Sequence, residues 1–425
     1  AETAPAAAPA PAADAGATAP RPETAADAPR YNDRLAVDLS PVQIDSLLAV
    51  WRERQTLGAY EEFFSTYVGF DPAAAAAGDR TPDSVYVRRL RDLVSPVQLP
   101  YNYIVKGYID RYTNVRSGTI SRILGMSQYY FPLIEEELIK AGLPVELRAL
   151  PIIESALSPT AVSPMGAAGL WQFMPATGKV YGLEVNSLVD ERCDPVLSTR
   201  AACRYLKDLY TLYKDWTLAI AAYNCGPGNV NKALARAGDG SRTFWDIYDF
   251  LPRETRGYVP AFIGASYAYA YHKLHGIEFT EPPLPLATDT IRVDRLLHLG
   301  QVSSTIDIPM ETLRQLNPQY KLDIVPATTK TYSLVLPQRY VCRYIQQQDS
   351  IFAKDSAYLK EYMNPANLEK KRQQRSGTIY TVKKGDTLGA IARKYRVTTA
   401  QLMRWNGIKN ANKLRLGQKI RIEGR

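Results

Sequence analysis

Residues 143–175 read LPVELRALPIIESALSPTAVSPMGAAGLWQFMP. Leu147, Leu150, Ile153 and Leu157 recur at spacings of three and four, and Pro144 suits a first turn, so the pattern predicts a helix with one buried face and Glu154 near its end. Pro159 is expected to stop this helix. Pro151, which has no N–H to donate, is expected to bend it one turn before Glu154. Glu154 follows an apolar run rather than joining a charged cluster. Beside Ile152, Ile153 and a small-residue loop its carboxyl would be partly desolvated, which disfavours the charged form and raises the pKa. Such a group can act as an acid near neutral pH. A solvated or salt-bridged glutamate at a helix end is the alternative these residues leave open.

Outward from this stretch, residues 158–169 are rich in Gly, Ala and Ser, which lets backbone approach a ligand closely. Gln172 then stands polar among apolar neighbours, either to bond sugar hydroxyls or acetamides or to be satisfied by backbone. Residues 216–223 (WTLAIAAY) form a small-residue helix broken by NCGPG, so Tyr223 and Asn224 should project from a helix end. Residues 117–142 read as a helix ended by Gly142, forming a hairpin with the one that follows. Residues 253–262 (RETRGYVPAF) open another helix, which carries Tyr258 and continues to His275. Asp190, Glu191 and Asp194 sit in a turn-rich loop before a helix over 198–213. They read most simply as capping and salt-bridging groups.

Three blocks in order, Glu154-Ser155, SPMGAAGLWQ over 163–172 and AYNCGPG over 222–228, resemble the catalytic domain of the soluble lytic transglycosylases, a goose-lysozyme-like family that cleaves bacterial peptidoglycan. The likeness is nearest to the membrane-bound lytic transglycosylase D type, which also has Trp in the GLWQ position and lysin motifs (LysM) at its C-terminus. It spans roughly residues 95–275 and 378–422. The resemblance implies a mainly α, lysozyme-like catalytic domain in which Glu154 is both acid and base, with no required second carboxylate. Ser155, Ser163, Gln172, Tyr223, Asn224 and Tyr258 would shape the cleft and hold the sugars. Tyr223 and Asn224 would face Glu154 and the substrate acetamide, and the Tyr258 hydroxyl would lie near the acid. A Tyr258 that only fills the core is the alternative for that residue. Cys225 departs from the commoner Ala and places a thiol near the cleft. No metal or organic cofactor is implied.

The implied reaction cleaves the β-1,4 bond between N-acetylmuramic acid (MurNAc) and N-acetylglucosamine (GlcNAc) in peptidoglycan glycan strands without water, leaving 1,6-anhydro ends. A hydrolytic muramidase is the nearer rival. It would take a second carboxylate from Asp190, Glu191 or Asp194, since ordinary glycoside hydrolysis uses two. The further rival is a non-catalytic wall-binding scaffold.

A chain of 425 residues, 46% hydrophobic and 22% charged, suffices for one large core and one or two small domains. No stretch is long and apolar enough to read as a bilayer-spanning helix. The start at Ala1 rather than methionine is expected of a truncated chain, or of an exported one that lost its leader, with a membrane anchor lost alongside it left open. The resemblance places it in the periplasm or cell envelope. Four cysteines, Cys193, Cys203, Cys225 and Cys342, show no C-x-x-C spacing, and with three histidines in the whole chain a metal site is not expected. Cys193 and Cys203, the pair near each other in sequence, are left open as a disulfide.

The organisation expected is a disordered Ala/Pro-rich tail over 1–38, an N-terminal helical arm over 39–125 and the catalytic domain over 126–280. The arm begins with a capped helix from Asp38 to Trp51 and has a further helical stretch over 83–113, whose aromatic spacing reads as packing. Residues 287–338 suggest strand, helix, helix, strand. They look like a diverged LysM without the usual glycine and aspartate of the first turn, which makes packing at least as good a reading as glycan binding. A polar linker is expected over 339–376. Over 377–425, YTVKKGDTL, IARKY, LMRWN and LGQKI match the LysM pattern closely, an α+β (βααβ) module, with Gly385-Asp386 turning out of the first strand and Asp386 as a natural N-cap. Such modules bind GlcNAc-containing glycan. The net charge of +9 lies here, since residues 378–425 hold twelve Lys and Arg against Asp386 and Glu423. A basic patch would favour polyanions, or it is a solvated face. The LysM resemblance points to peptidoglycan and away from nucleic acid.

Overall fold

The structure, a computed structural model, describes residues 63–69, 81–113, 118–186, 188–238, 240, 243–327, 330–355, 357–359, 378–383, 385–395, 397–406, 408, 410, 411, 414, 415 and 417–422. The Ala/Pro-rich tail, the capped helix from Asp38 and most of the polar stretch after 360 lie outside the described residues.

The first core is helical. Its elements are α1 (Asp83–Asp92), α2 (Tyr103–Thr113), α3 (Thr119–Ala141), α4 (Leu150–Ser155), α5 (Pro175–Val180), α6 (Pro195–Tyr213), α7 (Trp216–Cys225), α8 (Pro227–Ala237) and α9 (Arg253–Tyr271). The stretch read as one helix over 83–113 is two, because Pro96 and Pro100 occupy the joint between α1 and α2 and neither can donate a helical bond. Helix α9 is the central strut: α2, α4 and α7 all pack on it. Two glycines make the α2 contact possible. A Cβ on Gly257 would stand 2.3 Å from the Tyr108 hydroxyl oxygen, and one on Gly264 would stand 3.1 Å from Tyr108 backbone. The aromatic spacing of α2 is therefore packing, with Tyr108, Ile109 and Tyr112 buried.

The helix that carries Glu154 differs from its expectation. Residues 145–149 form a 3-10 turn, and the α-helix proper starts at Leu150 with Pro151 in its first turn. There the missing N–H breaks no bond, so Pro151 begins the helix and does not bend it. The stop comes before Pro159, at Ala156 and Leu157, both in the left-handed region at φ 53° and 58°.

A second core follows. Strand β1 (Thr288–Val293) pairs antiparallel with β4 (Tyr332–Pro337), and β2 (Leu296–His298) with β3 (Ile324–Pro326); α10 (Leu299–Ile306) and α11 (Met310–Leu316) lie between them. Helices α12 (Gln338–Gln346) and α13 (Gln348–Phe352) close this core with Tyr344, Ile351 and Phe352. The polar stretch read as a linker from 339 thus begins as part of the module. Its polarity belongs to the outer face of these helices. Leu188 and Val189 reach into the same core from the loop before α6, and Val189 bridges Tyr320, so the second core is fastened to the first.

The third core has βααβ order: β5 (Thr378–Thr381), α14 (Leu388–Lys394), α15 (Thr399–Trp405) and β6 (Lys419–Ile422), with β5 and β6 antiparallel. Leu388, Ile391, Leu402, Ile420 and Ile422 fill it. Asp386 is not the N-cap. Its carboxylate accepts from the Lys383 N–H and the Tyr380 hydroxyl, and Thr387 caps α14 by accepting from Ala390 N–H. The mainly α catalytic region with small β-containing modules behind it agrees with the fold class read from the sequence. All four cysteines are free, and the Cys193–Cys203 pairing is not formed. Both thiols are buried and raised by that burial.

Candidate active site

Glu154 lies at the C-terminal end of α4, buried by the packing of α4 on α9, with 7% of its surface exposed. Its carboxyl accepts a hydrogen bond from the Tyr258 hydroxyl. Burial pushes the carboxyl from its ordinary 4.5 up to about 8, while the Tyr258 bond favours the ionised form and the charge of Glu254 disfavours it. The solvated or salt-bridged alternative does not hold. Glu154 has no cation partner among the described residues.

The group opens onto a cleft of about 640 Å³. Ser163, Gln172, Tyr223 and Asn224 line the cleft with Glu154. Gln172 stands at φ 46° and donates from Nε2 to the Ala161 and Gly169 carbonyls, at 3.0 and 2.9 Å. Among the described residues its Oε1 has no partner. Backbone satisfies the donor end of Gln172, as one of its two readings expects, and an acceptor is left over. Tyr223 donates to the Trp171 carbonyl at 2.8 Å with its ring edge-on to Trp171 and Phe173. Asn224 accepts from the Thr255 hydroxyl at 2.8 Å, which orients its amide. Ser163 accepts from Ala167 N–H and pins the glycine-rich loop.

Two of the residues expected to shape the cleft are not on its wall, although the Tyr258 hydroxyl does lie against the acid. Ser155 is outside the cleft lining, and its hydroxyl bonds the Pro151 and Leu170 carbonyls at 3.0 Å each, tying α4 to the GLWQ segment. Tyr258 is fully buried and stands behind Glu154 rather than on the cleft wall.

The loop acids are occupied. Asp190 takes a two-pronged ion pair from Arg192, whose guanidinium also donates to the Gly166 and Phe173 carbonyls. Arg192 thereby holds the loop that lines the cleft. Gly169 fits against it, since a Cβ there would meet the Arg192 carbonyl oxygen at 1.8 Å. Asp194 caps α6 through the Val196 and Leu197 N–H groups, and Glu191 accepts from Glu184 N–H and faces Lys330. None of the three lines the cleft.

Sequence reasoning missed other members of the lining: Phe64 and Ser65 from the N-terminal arm, Tyr205 from α6 and Glu254 from α9. Glu254 had a signal, because it precedes Tyr258 by four residues and therefore shares its helix face. Among the described residues no group of three or more His, Cys, Asp or Glu converges as metal ligands.

Residues 131–245 match the transglycosylase SLT domain, a span that holds Glu154, Gln172, Tyr223 and Asn224 but stops short of Glu254 and Tyr258. Residues 287–353 match the LysM-like domain of lytic transglycosylase MltD, and residues 380–423 match the LysM domain. The membrane-bound lytic murein transglycosylase D of Escherichia coli is 32% identical over 296 residues, which cover 69% of this chain and 63% of that protein. The soluble lytic murein transglycosylase of the same organism is 31% identical over 123 residues, 28% of this chain and 19% of the relative. The solved 70 kDa soluble lytic transglycosylase of E. coli aligns over 57% of this chain and 47% of its own, with 20% identity and a TM-score of 0.31. The chain therefore spans about 63% of the length of the first of these relatives. It belongs to the SLT/MltD family of lytic transglycosylases and carries a C-terminal LysM domain.

Proposed function

We propose that the protein is a lytic transglycosylase that cuts the bond between MurNAc and GlcNAc in peptidoglycan and leaves 1,6-anhydro ends. The observation that carries this reading is Glu154: a carboxyl held near pH 8 by burial, with a hydroxyl donor behind it and a cleft in front. Such a group holds its proton at neutral pH and gives it to the glycosidic oxygen. The bond to the leaving sugar breaks and Glu154 becomes ionised, a form the Tyr258 hydrogen bond supports. Glu154 then takes the proton of the C6 hydroxyl of the same MurNAc residue while that oxygen attacks the anomeric carbon. The ring closes, the proton returns to Glu154, and no water is consumed. The free Oε1 of Gln172 is suited to accept from a sugar N–H or O–H. Asn224, its oxygen engaged by Thr255, keeps amide N–H groups for an acetamide carbonyl.

The LysM domain is read as a tether to GlcNAc-containing glycan, and the protein as resident in the periplasm or cell envelope. No helix among the described residues is long and apolar enough to cross a membrane. The 287–353 module is read as a buttress: Lys330 pairs with Glu184 and Glu191, and Lys321 donates to the Asn186 carbonyl. Two experiments test these roles. Glu154→Gln should abolish release of soluble muropeptides while circular dichroism stays unchanged, and retained release would sink the assignment. A chain ending at Gln374 should pellet less with insoluble peptidoglycan. Equal pelleting at low and moderate salt would remove the tether.

A further inference from the structure

Glu254 is a cleft carboxylate to which the mechanism above gives no task. It stands in the first turn of α9, exposed, and makes no ion pair among the described residues. Residues four apart share a helix face, so Glu254 and Tyr258 present their side chains on the same side of α9. Tyr258 meets Glu154 there, and Glu254 lines the cleft onto which Glu154 opens. Other groups facing Glu154 are few. Helix α7 brings Tyr223 and Cys225, α6 brings Tyr205, the glycine-rich loop brings the uncharged Ser163 and Gln172, and the N-terminal arm brings Phe64 and Ser65. The 3-10 turn before α4 carries Glu146 and Arg148, but these line a separate hollow, where Arg148 pairs with Glu135. No lysine, arginine or histidine is in the cleft lining among the described residues. Among the described residues the cleft therefore holds two carboxyl groups and no fixed cation.

We propose that Glu254 is a positioning residue whose negative charge keeps Glu154 in the proton-bearing form needed for the first step and favours the positive charge that develops on the sugar as the glycosidic bond opens. The first effect is like-charge coupling: ionising Glu154 beside a charge already present costs more than ionising it alone. Burial is the larger cause of the raised Glu154 carboxyl, and Glu254 adds to it in the same direction. The second effect follows from the oxocarbenium character of glycoside transition states, which a nearby carboxylate stabilises without touching a proton. A competing account is purely structural, because an acid in the first turn of a helix also interacts well with the helix dipole. A second competitor makes Glu254 the base that activates water.

This inference rests on the transglycosylase reading, so the experiment reads both. kcat/KM on a soluble glycan fragment is followed from pH 5 to 9.5 for the full chain, Glu254→Gln and Glu254→Asp, with product masses and melting temperatures taken alongside. The alkaline limb of the wild type reports loss of the Glu154 proton. In Glu254→Gln this limb is expected to move to lower pH by roughly half a unit or more, so that activity falls several-fold further at pH 8.5 than at pH 6. Glu254→Asp keeps the charge and should restore the limb, with anhydro products throughout. An unmoved limb, with a loss uniform in pH and a lowered melting temperature, overturns the proposal in favour of the helix-dipole role and leaves the transglycosylase reading intact. Wild-type products one water heavier, with Glu254→Gln as dead as Glu154→Gln, overturn that reading itself and make Glu254 the hydrolytic base.

Discussion

Glu154 and Asp190 are both buried carboxyls of the catalytic region, with 7% and 0% of their surfaces exposed, and they do opposite things. Asp190 faces a guanidinium that satisfies both its oxygens. Through Arg192 it holds the Gly166–Phe173 loop in shape. Glu154 faces a neutral hydroxyl and an open cleft, and its carboxyl sits near pH 8. Burial alone therefore does not make a catalytic acid. Burial with no cation beside it and a cleft in front lets a carboxyl keep its proton where a substrate could take it, because the proton is then the cheapest way to neutralise the group.

Substitutions at the two sites should separate these roles. Glu154→Gln keeps shape and loses the titratable proton, so the rate should fall at least ~10²- to 10⁴-fold, the usual range for general acid-base catalysis. Asp190→Asn strands a buried guanidinium, which typically costs about 3–5 kcal/mol of stability. It should lower the melting temperature severely and the activity per folded molecule far less. If it matched Glu154→Gln in rate while remaining folded, the contrast between the two acids would fail.

The pH dependence of stability sharpens the same contrast. Below the ordinary carboxyl value of 4.5 both folded and unfolded chains carry the Glu154 proton. As pH rises the unfolded chain releases it first, while the folded chain keeps it until about 8, so the stability contributed by the neutral buried carboxyl is lost across that window. Glu154→Gln has no proton to lose and should gain on the wild type by on the order of 1 kcal/mol per pH unit. Melting curves from pH 4 to 8 check this. A constant difference would mean that Glu154 is already ionised when folded.

Smaller effects probe the Glu154 surroundings. Tyr258→Phe removes the donor that supports the ionised form, so the carboxyl should rise further and the base step weaken, for a loss of roughly tenfold, in line with a hydrogen bond to a charged group. Cys225→Ala should keep most of the activity, since burial pushes this thiol up and away from the reactive thiolate. A loss near that of Glu154→Gln would place the thiol in the chemistry.

Much of this site was legible because its residues cluster in three short ordered blocks and because Glu154 interrupts an apolar run. The LysM at the C-terminus was equally legible in its turn and strand pattern. What was not legible depends on packing between distant segments. Glu254 shares a helix face with Tyr258 by spacing, but nothing places that face on the cleft until α9 is laid against α4, and Phe64 and Ser65 enter the cleft only because Arg111 and Tyr108 hold the 63–69 segment by its backbone carbonyls. Ser155 showed the converse: adjacent to the acid in sequence, its hydroxyl is turned to backbone carbonyls because successive helical residues point to different sides. Pro151 was misplaced for a local reason, as a proline reads alike inside a helix and at its start unless the boundary is known.

The central claim is that Glu154 serves as acid and then as base for the substrate's own hydroxyl, with no water entering. The most direct measurement is the mass of the muropeptides released from purified sacculi by the wild-type protein free of other lysins. The account predicts 1,6-anhydro ends, one water lighter than hydrolysed ends. Reducing-end products of the heavier mass would contradict it.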